Sequence, residues 1–241
     1  MAGLTSDPQA AGQPLFSSSA TQYHQLGERL VTSDGRVFRY VRAGASDLVV
    51  GNMIQAPGEI VNHDTLTPSA AAIGATTITV TLGSTLASVD QYAGGWAVID
   101  TTPGLGYTYP ITGHPAAASG ATLAVTLGLG VEVALTTGSR VTLTPNPYRG
   151  VIQTPITTLT GSAVGAAVFI VVTVEYGWVC VSGTTGVLIA GTPGPGLSVV
   201  VPGTSAGAVV VDGAASATQV VGSMRIQGID ALVQPVLLNL P

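Results

Sequence analysis

The sequence contains no lysine and only one cysteine. All 7 basic residues among its 241 positions are arginines, and charged residues make up 8% of the chain, against roughly 25% in an average globular domain. A single cysteine, Cys180, cannot form an internal disulfide or any of the cysteine-based zinc sites. Its position between two valines in "GWVCVSG" predicts a buried and unreactive thiol.

Long hydrophobic runs are also absent, although hydrophobic residues form 46% of the chain and the mean hydropathy is +0.52. The longest apolar run, Ala163–Val174, is shorter than the ~18–20 residues that a membrane-spanning helix needs. Its richness in Val and Ile favours a buried strand. We therefore expect no membrane partner, and a surface that is partly covered in an assembly.

Positive charge is scarce and concentrated in one place. The formal net charge is −5 and the pI is about 4.9, which is the opposite of the balance typical of proteins that bind phosphate backbones. Four of the arginines fall in or beside Val31–Gly44, "VTSDGRVFRYVRAG". The Asp34-Gly35 pair in this stretch predicts a β-hairpin.

The second strand of that hairpin carries both charge and large apolar groups. Alternation along a strand places Arg39 on the face opposite to Arg36 and Arg42, whereas a nucleic-acid platform needs its basic and aromatic residues on one face. We therefore expect no nucleic-acid partner and predict that the arginines serve protein contacts. The candidate partner-contact residues are Phe16, Arg36, Phe38, Tyr40 and Arg42.

Catalytic, metal-binding and cofactor motifs are missing as well. The three histidines lack the spacing of metal ligands. The glycine-rich stretch Gly191–Ser198, "GTPGPGLS", lacks the Lys-Ser/Thr ending of a phosphate-binding loop. There is no G-x-S-x-G elbow and no cluster of carboxylates. We expect no enzymatic activity, no cofactor and no metal.

The remaining pattern is typical of an all-β protein. Turn residues separate β-forming runs of about five residues along most of the chain, and no segment has a long amphipathic helical pattern. These features predict a core domain with a β-barrel-like or β-sandwich-like fold, made of residues 22–65 plus 146–241.

Residues 66–145 are predicted to form a small β subdomain inserted into that core. "GATTITVTLG" at Gly74–Gly83 recurs as "GATLAVTLG" at Gly120–Gly128, and each copy is followed by a loop and another β run. This echo predicts two similar halves. Residues 1–21 are rich in Ala, Ser, Gln, Gly and Pro. They are predicted to form an extended, flexible N-terminal arm, either a passive tail or a segment that orders on a partner.

Several blocks of the chain, from about residue 23 to its end, resemble structural proteins of tailed bacteriophages encoded near the major capsid protein. The most telling are "DGRVFRYVRAG" in the hairpin and the block that begins "YGWVCVSG" and continues to "VLI". The resemblance implies a capsid decoration, or cement, protein with no catalytic residues. Such a protein is made in the cytoplasm of the host bacterium, commonly forms a homotrimer, and binds the major capsid protein on the outside of the virion, where it bridges neighbouring capsid subunits.

Two other virion roles are alternatives. A head fibre, or a tail or adhesin module that binds host-surface carbohydrate, would use 66–145 as a receptor-facing domain, with Trp96, Tyr107 and Tyr109 either stacking on sugars or packing in the core. A self-assembling major shell protein would normally bring a long helix and a more charged surface, and the sequence shows neither.

Overall fold

The computed structural model describes residues 12–213 and 219–241, and nearly all of their regular structure is β. The predicted all-β fold is confirmed. The single helix of the described residues is a 3-10 turn at Val61–His63. The strands in chain order are β1 (Arg29–Val31), β2 (Val37–Ala43), β3 (Met53–Gln55), β4 (Thr67–Pro68), β5 (Thr77–Thr81), β6 (Trp96–Ile99), β7 (Thr108–Gly113), β8 (Thr122–Leu127), β9 (Val141–Thr144), β10 (Arg149–Gln153), β11 (Ala163–Ala167), β12 (Tyr176–Leu188), β13 (Ser198–Val201), β14 (Val210–Val211), β15 (Gln219–Met224) and β16 (Val233–Asn239).

The chain divides into two compact units. Unit 1 comprises Met1–Gly58 and Pro147–Pro241, and unit 2 comprises Glu59–Asn146. Unit 2 therefore begins at residue 59, whereas the sequence pattern placed the start of the inserted subdomain at 66. The earlier start has a structural cause, since the buried His63 hydrogen-bonds to Tyr92 and to the Thr85 carbonyl inside unit 2.

Unit 1 is built on a closed five-stranded barrel. Its strands follow the order β1-β2-β10-β3-β11-β12-β16-β15-β13-β14, and a further pairing of β2 with β12 closes the ring β2-β10-β3-β11-β12. β10 runs parallel to β2, and the other pairs in the ring are antiparallel. Each barrel strand contributes a buried residue to one cluster, which includes Val41, Ile54, Val151, Ala167 and Val179.

A second, larger apolar cluster involves the opposite side of the barrel strands. β12 is 13 residues long, and its first half pairs with β2 while its second half pairs with β16. Side chains alternate along β2 and β12, so Phe38 and Trp178 lie on the side away from Val41 and Val179. They join a cluster with residues of β13, β15 and β16, such as Val199, Val221 and Val236.

Unit 2 is a six-stranded sheet in the order β4-β5-β8-β7-β6-β9. Next to β4, Leu66 exchanges two backbone hydrogen bonds of 2.8 and 2.9 Å with Val141 of β9, and this bridge closes the sheet into a ring. The interior is filled by side chains that point inward from these strands, among them Ile78, Val80, Leu123 and Val125.

The echo in the sequence corresponds to a structural duplication in unit 2. β5 and β8 are the two copies, and they pair with each other antiparallel, with the equivalent residues Thr79 and Ala124 directly opposite. The Ala71–Leu135 bridge is matched by an Ala117–Ala87 bridge in the other half. The strands β4-β5-β6 and β7-β8-β9 are therefore two similar halves related by a local two-fold axis near Thr79.

Residues 12–19 correct the prediction of a flexible arm over 1–21. Gln13 is 1% exposed, and its Nε2 donates to the Tyr176 carbonyl at 2.8 Å, while its Oε1 accepts from the Tyr40 hydroxyl. Ser19 and Tyr176 exchange backbone hydrogen bonds, and Leu15 is buried in the larger cluster. This segment, which we call the strap, packs on its own barrel; residues 1–11 lie outside the described residues.

Candidate interaction surfaces

The predicted hairpin at Asp34-Gly35 is confirmed. β1 and β2 pair antiparallel from Arg29–Arg39 to Val31–Val37. Gly35 turns the chain with a φ of +84°, and its amide donates to the Thr32 carbonyl at 2.9 Å. The Thr32 hydroxyl donates to the Asp34 carboxylate, and this bond together with Arg36 lowers the pKa of Asp34 to about 2.

Two of the five candidate contact residues are in the wrong place for that role. Phe38 and Tyr40 are 0% exposed and belong to the larger cluster of unit 1. Tyr40 packs edge-on against Trp178 and stacks on Tyr176. The sequence analysis placed Phe38 and Tyr40 on the same face of β2 as Arg36 and Arg42 and expected that face to make partner contacts. In the structure the apolar part of that face is covered, because Leu15 of the strap and residues of β13, β15 and β16 pack over it. Phe38 and Tyr40 are therefore core residues.

The other three candidates reach the surface. Phe16 of the strap is 56% exposed. Arg36 forms an ion pair with Asp34 at 2.7 Å, and its guanidinium lies over the Phe38 ring. Arg42 donates from Nε to the Val174 carbonyl at 3.1 Å and lies 5.8 Å from the centre of the Tyr176 ring. Both arginines are thus held in fixed positions by their own unit.

The titratable side chains in the interior are engaged in packing. Cys180 is free and buried, and burial raises the pKa of its thiol to about 11, so the thiolate needed for reactivity is scarce. In unit 2, the Nε2–H of His63 donates to the Thr85 carbonyl, which leaves Nδ1 to accept from the Tyr92 hydroxyl. Within the described residues, no group of three or more His, Cys, Asp or Glu side chains could hold a metal ion.

Of the three aromatic residues considered for sugar stacking, one is buried and two are exposed. Tyr109 is buried in the core of unit 2, and its hydroxyl accepts from the Glu132 amide at 3.0 Å. Trp96 and Tyr107 are 39% and 42% exposed. Trp96 lies on the outer face of β6, where its cross-strand neighbours are Pro110 and Thr144.

A surface that sequence reasoning missed lies at one end of the barrel in unit 1. The Leu48–Val171 bridge and the Met53–Ala166 pair flank the segments 49–52 and 167–170 and hold them side by side. A side chain on the next residue, Gly51, would touch Val233. These five residues, which we call the apolar face, are between 37% and 51% exposed: Val49, Val50, Phe169, Ile170 and Val233.

The apolar run Ala163–Val174 was interpreted as one buried strand, and only its first part is. β11 ends at Ala167, and Phe169, Ile170, Val172 and Val174 are exposed. The one available signal was length, because a run of 12 apolar or small residues exceeds the usual strand of ~5–6 residues.

Comparisons with protein-family models, with curated proteins and with solved structures gave no match. In the part of the chain that the structure describes, no helix has the length and apolar character needed to cross a membrane.

Proposed function

We propose that this chain is a virion structural protein that binds the outer surface of a bacteriophage capsid and stabilises it by bridging neighbouring subunits. The observation that carries the proposal is the apolar face. Exposed apolar side chains scattered singly are normal, but a contiguous group marks an interaction surface. No charged residue occurs in the two segments that supply most of it, 48–53 and 166–172.

The rest of the molecule suits a structural role. Each of the two β units has its own apolar core, and a binding surface on a well-packed unit loses little conformational entropy on binding. The capsid as the partner is suggested by the sequence blocks of the hairpin and of β12. A trimer, placement on the capsid exterior and synthesis in the host cytoplasm are part of the same proposal.

Binding to bare shells tests the assignment. Purified protein is mixed with shells of the parent particle that lack it, and cosedimentation is measured for wild type, Val50→Asp and Phe169→Asp. A charge at a desolvated contact is costly, so we expect both variants to lose attachment. Val89→Asp in unit 2 is the matched control, because Val89 is also an exposed valine. Decoration by both apolar-face variants at wild-type level would refute attachment through this face.

A carbohydrate-binding fibre or adhesin is the second candidate, favoured by the exposed Trp96. Trp178 is 1% exposed, so added saccharide should perturb only the Trp96 emission. A saccharide-dependent change that disappears in Trp96→Phe, combined with no binding to shells, would favour this role. Density in a cryo-EM map of the particle, on the shell or on a fibre or tail, separates the two candidates.

A further inference from the structure

Two arginines face each other across neighbouring strands of unit 1. Arg42 of β2 and Arg149 of β10 are directly opposite in the parallel pair. The register shifts after Arg149, where Gly150 has a φ of +75°. This bulge lets Val151 point into the barrel while Arg149 remains on the outer side with Arg42.

Within the described residues, neither arginine forms an ion pair with a carboxylate. The ion pairs among the described residues are His24–Glu28 and Arg36–Asp34. Glu175, beside Tyr176 in the chain, has its carboxylate engaged by the Ser18 hydroxyl. Like charges directly opposite each other on a sheet repel and are unfavourable. Among the described residues, no ion pair offsets the repulsion between these two guanidinium groups.

The hydrogen-bonding groups of the pair are also incompletely used. Arg149 Nε is buried and has no hydrogen-bond acceptor within the described residues. The hydrogen bond that the structure gives Arg42 comes from Nε to the Val174 carbonyl, so its two Nη groups are left for a ligand. The Tyr176 ring lies under the guanidinium of Arg42 and limits its movement. An unpaired buried donor is rare in native proteins, and a bound ion or water is among its explanations.

We propose that Arg42 and Arg149 bind a carboxylate group from an acidic segment of a partner protein. The guanidinium fork matches the two oxygens of a carboxylate, and charge-assisted bonds of this kind are strong. A phosphate backbone is the less suitable ligand, because its binding relies on many basic contacts and this site supplies only two arginines. The site stands independently of capsid attachment, because it lies on strands that the apolar face does not include.

Titration calorimetry with a hexaglutamate peptide at low ionic strength tests this site. Wild type and Arg225→Gln, the control with the same charge change at an exposed arginine, should bind. Arg42→Gln and Arg149→Gln should bind about tenfold more weakly or worse. Equal affinities for wild type and Arg149→Gln would overturn the proposal.

Two further measurements complete the test. Inorganic phosphate and duplex DNA are titrated in parallel; tighter binding of either, lost in the same two variants, would make phosphate the ligand and overturn the carboxylate assignment. Thermal unfolding without ligand separates binding from folding. Replacing Arg149 with Gln removes a like-charge contact, so we expect a melting temperature no lower than that of wild type. A marked drop would show that Arg149 instead supports the fold.

Discussion

Replacing Gln13 with Ala tests whether the strap is part of the fold. The Gln13 side chain accepts a hydrogen bond from the Tyr40 hydroxyl and donates one to the Tyr176 carbonyl. Tyr176 keeps its bond from the Ser19 amide, but the Tyr40 hydroxyl, in a fully buried residue, loses its acceptor. A buried donor without a partner costs about 1–3 kcal/mol. The free energy of unfolding of unit 1 should fall by that amount.

Urea unfolding followed by Trp178 fluorescence is the assay, in a Trp96→Phe background so that one tryptophan reports. Trp178 packs 5.0 Å from the Tyr40 ring and therefore senses the site. Each kcal/mol should also lower the melting temperature by roughly 2–4 °C for a protein of this size. Gln22→Ala, at an exposed position, is the control. An unchanged midpoint for Gln13→Ala would mean that the strap does not dock, as the sequence alone suggested.

Three other substitutions or probes test the interior. Cys180, with its pKa raised to about 11, should resist a thiol reagent near pH 8 in the native protein and react after unfolding in urea; rapid native labelling would contradict its burial. Tyr92→Phe leaves the buried His63 Nδ1 without a donor and should destabilise unit 2 by about 1–3 kcal/mol in denaturant unfolding. Gly222→Ala would put a Cβ 2.1 Å from a backbone oxygen and should cost about 1–3 kcal/mol, whereas Gly138→Ala, whose nearest contact is at 3.4 Å, should leave the melting temperature nearly unchanged.

The sequence pattern predicted the structure correctly wherever that structure depends on residues close together in the chain. The hairpin follows from Asp34-Gly35, since only a few residues can take the positive φ that the turn needs. The duplicated halves of unit 2 follow from the GAT echo, because the same alternation of Thr with Ile, Val or Leu in both copies produces strands with the same buried and exposed faces. The burial of Cys180 follows from its valine neighbours in the same way.

The candidate interaction surfaces were harder to predict from the sequence. Phe38 and Tyr40 look like one half-exposed face of an amphipathic strand, and nothing near them in the chain indicates that the strap and strands β13, β15 and β16 cover that face. The same limit applies to the apolar face. A run of valines and isoleucines has the same pattern in a buried strand and in an exposed loop, because hydrophobicity records what a residue prefers and not whether its neighbours have covered it.

The sequence by itself therefore determined the all-β class, the hairpin, the internal repeat and the scarcity of charge, all of which depend on residue type and short-range order. Only the tertiary structure decided that the barrel closes through β2 and β12, that the strap belongs to the core, and that Arg42 meets Arg149. These pairings join residues more than a hundred positions apart. Their register depends on strand order, which turn chemistry and side-chain alternation leave undetermined.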